Sequence, residues 1–88
     1  MALRAYRCVL LKAKRAFSSD KTVFRQVDQF TCELDLDDGM GHTVRAALLH
    51  GVRQYGGPDA DASQYRMNVI DPKNGRTVRR DFTAPPEA

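Results

Sequence analysis

Apolar and polar side chains alternate along the first part of the chain in a way that predicts two antiparallel strands. Residues 3–17 contain aromatic and β-favouring side chains and no glycine or proline, which predicts the first strand. The short polar side chains of residues 18–21 predict a turn. From Thr22 the chain returns, and we interpret residues 23–29 as strand, although a bend or a short helical turn also fits them. At the end of this segment the apolar positions alternate strictly with polar ones at Phe30, Cys32, Leu34 and Leu36.

The first predicted strand is apolar on both of its faces. One set of alternate positions holds Leu3, Ala5, Val9 and Leu11, and the other holds Tyr6, Cys8 and Leu10. The pattern therefore does not assign the inward face, and a bulge that switches the faces fits it as well. Because one helix covers one face, the surplus apolar surface motivates the hypothesis of a homodimer.

A helix is predicted over residues 42–55. Its apolar stripe at helical spacing consists of Val44, Ala47, Leu48, Val52 and Tyr55. Gly51 interrupts the stripe, and because glycine inside a helix costs about 1 kcal/mol relative to alanine, we expect close contact with a sheet there. Thr43 or a neighbour is expected to cap the first turn, and the glycines and proline of residues 56–58 end the helix.

The C-terminal part of the chain predicts a second hairpin. Strands are expected at residues 64–70 and 76–82, joined by a turn at residues 71–75, where Pro72 presets the backbone and Asn74 or Gly75 takes a positive φ. The predicted fold is therefore α+β in the order ββαββ, with one helix on one face of a four-stranded, mostly antiparallel sheet. It occupies residues 1–83, followed by a disordered tail at residues 84–88.

Length and composition agree with a single small domain. The chain has 88 residues, of which 42% are hydrophobic and 28% are charged, and it carries a net charge of +3. Its longest apolar run is far too short to span a membrane, so we expect no membrane partner. No basic leader followed by an apolar stretch opens the chain, and we therefore expect a cytoplasmic protein.

Acidic and basic side chains on the first hairpin are expected to pair with each other. The acids of the return segment are Glu33, Asp35, Asp37 and Asp38, and the bases of the first strand are Arg4, Arg7, Lys12, Lys14 and Arg15. We interpret the acids as an exposed strand face that meets these cross-strand bases. A calcium loop does not fit, because with Gly39 at the sixth loop position no carboxylate falls at the first, third or twelfth.

Neither metal nor catalytic chemistry is predicted. Cys8, Cys32, His42 and His50 lack the short paired spacings of zinc ligands, so we expect packed thiols and solvated or capping histidines. No nucleophile elbow and no phosphate-binding glycine loop is present in the sequence. The expectation is therefore a protein that is not an enzyme, with no catalytic residue, metal or cofactor.

Two functional hypotheses remain. The first is a non-enzymatic binding or assembly module that acts through protein–protein contacts, either with another protein or by self-association into a homodimer. The alternative is a nucleic-acid-binding protein that uses the basic C-terminal hairpin. Its candidate binding residues are Arg66, Lys73, Arg76, Arg79 and Arg80.

Overall fold

A computed structural model describes residues 3–15, 22–37 and 41–84 of the chain. The elements are β1 (Arg4–Arg15), β2 (Thr22–Leu34), α1 (His42–Gly56), a 3-10 turn (Ala62–Gln64), β3 (Tyr65–Ile70) and β4 (Thr77–Phe82). The four strands form one antiparallel sheet in the order β2-β1-β3-β4, which confirms the predicted α+β fold and its ββαββ order. In the described part of the chain, no helix combines the length and the apolar character needed to cross a bilayer.

Helix α1 covers the face of the sheet on which β1 presents Tyr6, Cys8 and Leu10. The three side chains are at most 8% exposed, and their partners across the sheet point to the same side. The rest of this core comes from Leu34 of β2, Val44, Ala47, Leu48 and Val52 of α1, and Tyr65, Met67 and Val69 of β3. The sequence pattern did not decide which face of β1 points into the core. In the structure the even-numbered residues Tyr6, Cys8 and Leu10 point inward.

The predicted apolar stripe of α1 holds except at its last member. Tyr55 is 47% exposed, whereas the other four stripe residues are buried. The ring of Tyr55 meets the ring of Tyr65 edge-on, with 6.4 Å between the centroids, and does not enter the core. The prediction that Tyr55 belongs to the buried face was therefore wrong.

The close contact expected at Gly51 is with the ring of Phe30 on β2. A Cβ atom built on Gly51 would lie 2.6 Å from Cε1 and 2.8 Å from Cζ of Phe30. Carbon atoms do not approach so closely, so a side chain at this position forces the ring to move. The absence of a side chain at position 51 therefore lets the Phe30 ring lie directly against α1.

The segment between β2 and α1 is held by the hydroxyl of Thr43, a contact that the sequence pattern does not predict. The Thr43 hydroxyl accepts from the backbone N–H of Asp35 at 3.0 Å and donates to the carbonyl of Asp35 at 3.1 Å. The helix begins after Gly41, which has φ 68° and makes no side-chain capping bond, so the predicted cap by Thr43 was wrong. Asp35 is 8% exposed, so the prediction of a solvated face was also wrong at this residue.

Replacing Thr43 with valine is expected to destabilise the protein by about 1–2 kcal/mol, because Thr43→Val keeps the shape but leaves the Asp35 backbone groups without their partner. Thr43→Ser keeps the hydroxyl and is the control, which should lose much less. Urea unfolding of both variants measures the difference. Equal stability of Thr43→Val and the unaltered chain would show that water replaces the hydroxyl.

A bulge interrupts the pairing of the two long strands β1 and β2. Leu10 lies opposite Asp28, but Leu11 lies opposite Gln26, so Val27 is the extra residue. The bend that the sequence allowed within residues 23–29 is this bulge, and the segment is strand as predicted. Beyond Lys12 β1 has no pairing with β3, and the β1–β2 hairpin continues as a two-stranded arm.

The register corrects the predicted pairing of opposite charges across the first hairpin. Glu33 lies opposite Ala5, and Asp28 lies opposite Leu10, so neither carboxylate has a base directly across from it. Lys12 lies opposite Arg25 instead, which is a pair of like charges. Acidic residue Asp38 lies outside the described residues.

The turn of the C-terminal hairpin forms as predicted. Gly75 takes φ 70°, and its N–H donates to the carbonyl of Asp71 at 2.8 Å. The Asp71 carboxylate accepts from the N–H of Lys73, which closes the turn further. The turn predicted at residues 18–21 lies outside the described residues. Of the predicted tail, Ala84 packs against the core, and residues 85–88 lie outside the described part.

Candidate functional site

The face of the sheet opposite α1 carries a group of apolar side chains, which we call the open face. It consists of Val9, Leu11 and Ala13 on β1, Phe24 on β2 and Ile70 on β3. Val9 is 8% exposed and the other four are half-buried. These positions share one side because strand residues alternate and because Phe24 lies opposite Ala13. The surplus apolar surface expected from β1 is therefore on the open face.

Arg66 lies across the open face. It is opposite Leu11, and its guanidinium stacks on the ring of Phe24 with 3.9 Å from Cζ to the ring centroid. A guanidinium at this distance from an aromatic ring gains about 0.5–1 kcal/mol at a solvated site. The side chain therefore bridges β3 and β2 over the central strand and covers part of the apolar surface.

The five basic residues predicted to bind nucleic acid are spread along the C-terminal hairpin. Lys73 lies in the turn, and Arg76, Arg79 and Arg80 are exposed along and just before β4. Arg66 stands near the other end of β3, about 13 Å along the strand from Ile70, where the turn begins. A role for these residues in nucleic-acid binding stays a prediction.

The cysteines and histidines are spread over the fold. Cys8 and Cys32 lie on the helix-covered face, and both are free thiols. His42 and His50 are exposed, and the ring of His50 meets Phe30 edge-on at 6.0 Å. Among the residues that the structure describes, no three His, Cys, Asp or Glu side chains come together as a metal-binding group.

Cys8 is the titratable group that the fold perturbs most strongly among those described. Burial, and then the neighbouring thiol of Cys32, raises the pKa of Cys8 from 9.0 to about 12. At neutral pH the thiol is therefore fully protonated, and a protonated thiol is a poor nucleophile. Cys8 acts as a small apolar side chain at the centre of the core.

Phe24 and Ile70 were not singled out from the sequence as members of a common surface. Both join the open face only through the register, because Phe24 lies opposite Ala13 and Ile70 lies opposite Arg7. The feature of the sequence that does indicate an apolar open face is the apolar character of β1 at both sets of alternate positions.

The chain matches no family model, no curated protein and no solved structure.

Proposed function

We propose that the protein is a non-enzymatic assembly module of the cytoplasm and that two copies of the chain join through the open face. The observation that carries the proposal is the apolar group at Val9, Leu11, Ala13, Phe24 and Ile70, on the side of the sheet that α1 does not cover. Burying apolar surface stabilises an interface by roughly 25 cal/mol for each Å² removed from water. A sheet packed against a second sheet is the usual way to cover such a face.

The dimensions of the molecule suit face-to-face packing. Its extents are 45 × 32 × 22 Å, and the short axis matches one sheet layer and one helix layer. A stable interface buries about 800 Å² on each partner. The broad side of this slab is large enough to supply that area from one face.

Charge on the open face favours a second copy as the occupant. Glu33 lies opposite Ala5 near one end of β1, and Arg66 lies opposite Leu11, about 20 Å along the strand. A two-fold axis across the strands reverses the direction of β1 in the partner. It therefore brings the end of the open face that carries Glu33 and Arg7 towards the end that carries Arg66 in the other copy, and we expect Glu33 to pair with Arg66 across the contact.

The test is the mass of the protein in solution at increasing concentration, measured by light scattering. We expect a dimer, and we expect Leu11→Lys to raise its dissociation constant at least tenfold, because a lysine would be buried against apolar side chains. Val23→Lys adds the same charge at a residue that is 49% exposed on the other side of the hairpin, and it should leave the dimer intact.

Charge reversal tests the orientation of the two copies. Glu33→Arg and Arg66→Glu should each weaken the dimer, and the double variant should recover part of the loss. A monomer at every concentration would overturn the proposal of self-association. A dimer that tolerates Leu11→Lys would place the contact on another surface.

A further inference from the structure

A cavity of about 500 Å³ lies where the β1–β2 arm meets the last turn of α1. Its cations and Tyr55 lie on the helix side of the sheet, opposite the open face, and Ala13 belongs to both surfaces. Its lining consists of Lys12, Ala13, Lys14, Arg25, Gln26, Val27 and Tyr55. Among the described residues that line it, three are cationic and none is an aspartate or a glutamate. We call this the basic cavity.

The register concentrates positive charge in the basic cavity. Lys12 and Arg25 are directly opposite each other on neighbouring strands, and Lys14 is the next residue of β1 on the same side. Like charges in directly opposed positions destabilise a sheet. A fold that keeps this pair gains when an anion binds between the two cations, because the anion converts repulsion into attraction.

Groups of the protein itself stabilise these cations only in part. The Nζ atom of Lys12 lies 5.8 Å from the centroid of the Tyr65 ring, at the outer limit of a cation–π contact. The last turn of α1, which contributes Tyr55, carries the equivalent of about half a negative charge from its peptide dipoles. Asp28, opposite Leu10 on the same side of the sheet, adds one full negative charge beside the cavity. Three positive charges exceed these contributions together, so the basic cavity keeps a net positive charge.

An exposed aromatic ring forms one wall of the basic cavity. Tyr55 is 47% exposed, and its ring is braced edge-on by Tyr65 with an interplanar angle of 72°. The Tyr55 side chain is therefore nearly half exposed beside the cations of the cavity. An accessible tyrosine beside a row of cations suits a ligand that has both an aromatic group and negative charge, as a nucleotide does.

We propose that the basic cavity binds single-stranded nucleic acid, with phosphates at Lys12, Lys14 and Arg25 and one base stacked on Tyr55. Lys12 and Lys14 are two residues apart on a strand, about 6.6 Å, which is comparable to the distance between successive phosphates of an extended strand. This activity goes beyond assembly through the open face. Because the cations and Tyr55 of the basic cavity are on the side of the sheet opposite the open face, we expect a dimer to leave both of its basic cavities accessible.

The experiment measures binding of fluorescein-labelled oligo(dT) of about twelve nucleotides by fluorescence anisotropy. The test variant combines Lys12→Gln, Lys14→Gln and Arg25→Gln. The matched control removes the same number of charges from the C-terminal hairpin, with Lys73→Gln, Arg76→Gln and Arg79→Gln.

We expect the test variant to bind at least thirtyfold more weakly than the unaltered chain, and the control to bind within about threefold of it. The dependence of binding on salt should also fall in the test variant, by about 2 in the slope of log K against log salt, because three phosphate contacts are lost. Equal weakening of the two variants would show attraction by net charge alone and would overturn the proposal. So would the absence of binding at low salt, or weakening confined to the control, which would place binding on the C-terminal hairpin.

Two Tyr55 variants test the stacked base. Tyr55→Phe keeps the aromatic ring and should bind as the unaltered chain does, whereas Tyr55→Ala should bind about tenfold more weakly. An equal response to both would overturn the stacking. Inorganic phosphate and a free mononucleotide are the competitors: displacement of the oligonucleotide by either at similar concentrations would identify a small-anion site and overturn the assignment to a strand.

Discussion

Replacing Gly51 with alanine is expected to destabilise the protein by about 2 kcal/mol, although alanine is the better helix former by about 1 kcal/mol. The added methyl group would lie 2.6 Å from Cε1 of Phe30, so either the ring or the helix must shift. Both responses disturb packing between α1 and β2, the strand that α1 contacts most. Urea unfolding followed by circular dichroism measures the loss.

A second substitution separates the steric effect from helix propensity. Leucine at position 30 lacks the two ring atoms that clash, so in the Phe30→Leu background Gly51→Ala should become neutral or stabilising. Ala46, exposed on the same helix, provides the reference, because Ala46→Gly should cost about 1 kcal/mol from propensity alone. If Gly51→Ala stabilises the unaltered chain, the close approach of Phe30 does not constrain the helix.

The order of elements could be predicted because it depends on local patterns. The alternation at the end of β2 and the helical spacing from Val44 to Val52 are visible in any short window of sequence. The turn before β4 is equally local, since Gly75 supplies the positive φ that it needs. The close contact at Gly51 could also be predicted locally, because a glycine within an apolar helical stripe indicates a close neighbour. The sequence alone does not identify that neighbour as Phe30.

The features that carry the proposals depend on pairing between distant segments, which the patterns do not define. The bulge at Val27 shifts the register by one residue, and a shift of one moves every later side chain to the other face. Without it Arg25 would lie opposite Ala13, on the open face. With it Arg25 lies opposite Lys12 at the basic cavity and Phe24 joins the open face. One unpaired residue thus decides the composition of both candidate surfaces.

The two incorrect burial predictions have a similar origin. Asp35 continues the alternation of β2, but the strand ends at Leu34, and the backbone of Asp35 turns towards the Thr43 hydroxyl. Tyr55 continues the stripe of α1, but it lies in the last turn, where the ring of Tyr65 contacts it from the side. Periodic patterns predict burial within an element and lose their meaning at its ends.

Raising the pH above 9 is expected to destabilise the protein through Cys8. The thiol has a pKa of 9.0 when unperturbed and of about 12 in the fold, mainly because burial disfavours the thiolate. Below pH 9 both the folded and the unfolded chain hold the proton, so the contribution of Cys8 to stability is fully present. Above it only the unfolded chain releases the proton, and stability falls by about 1.4 kcal/mol for each pH unit until about pH 12.

The loss amounts to about 4 kcal/mol over this interval, which is a large part of the stability of a domain of this size. Urea unfolding at several values from about pH 8 to pH 11 measures the slope of stability against pH.

Lysines and tyrosines titrate in the same range, so the informative quantity is the difference from Cys8→Ala, which lacks the thiol and should have a shallower pH dependence. Cys32→Ala should keep most of the steep slope, because burial of Cys8 contributes more to its raised pKa than Cys32 does. Parallel profiles for Cys8→Ala and the unaltered chain would mean that the folded chain releases the Cys8 proton as readily as the unfolded one, and that the core around β1 admits water.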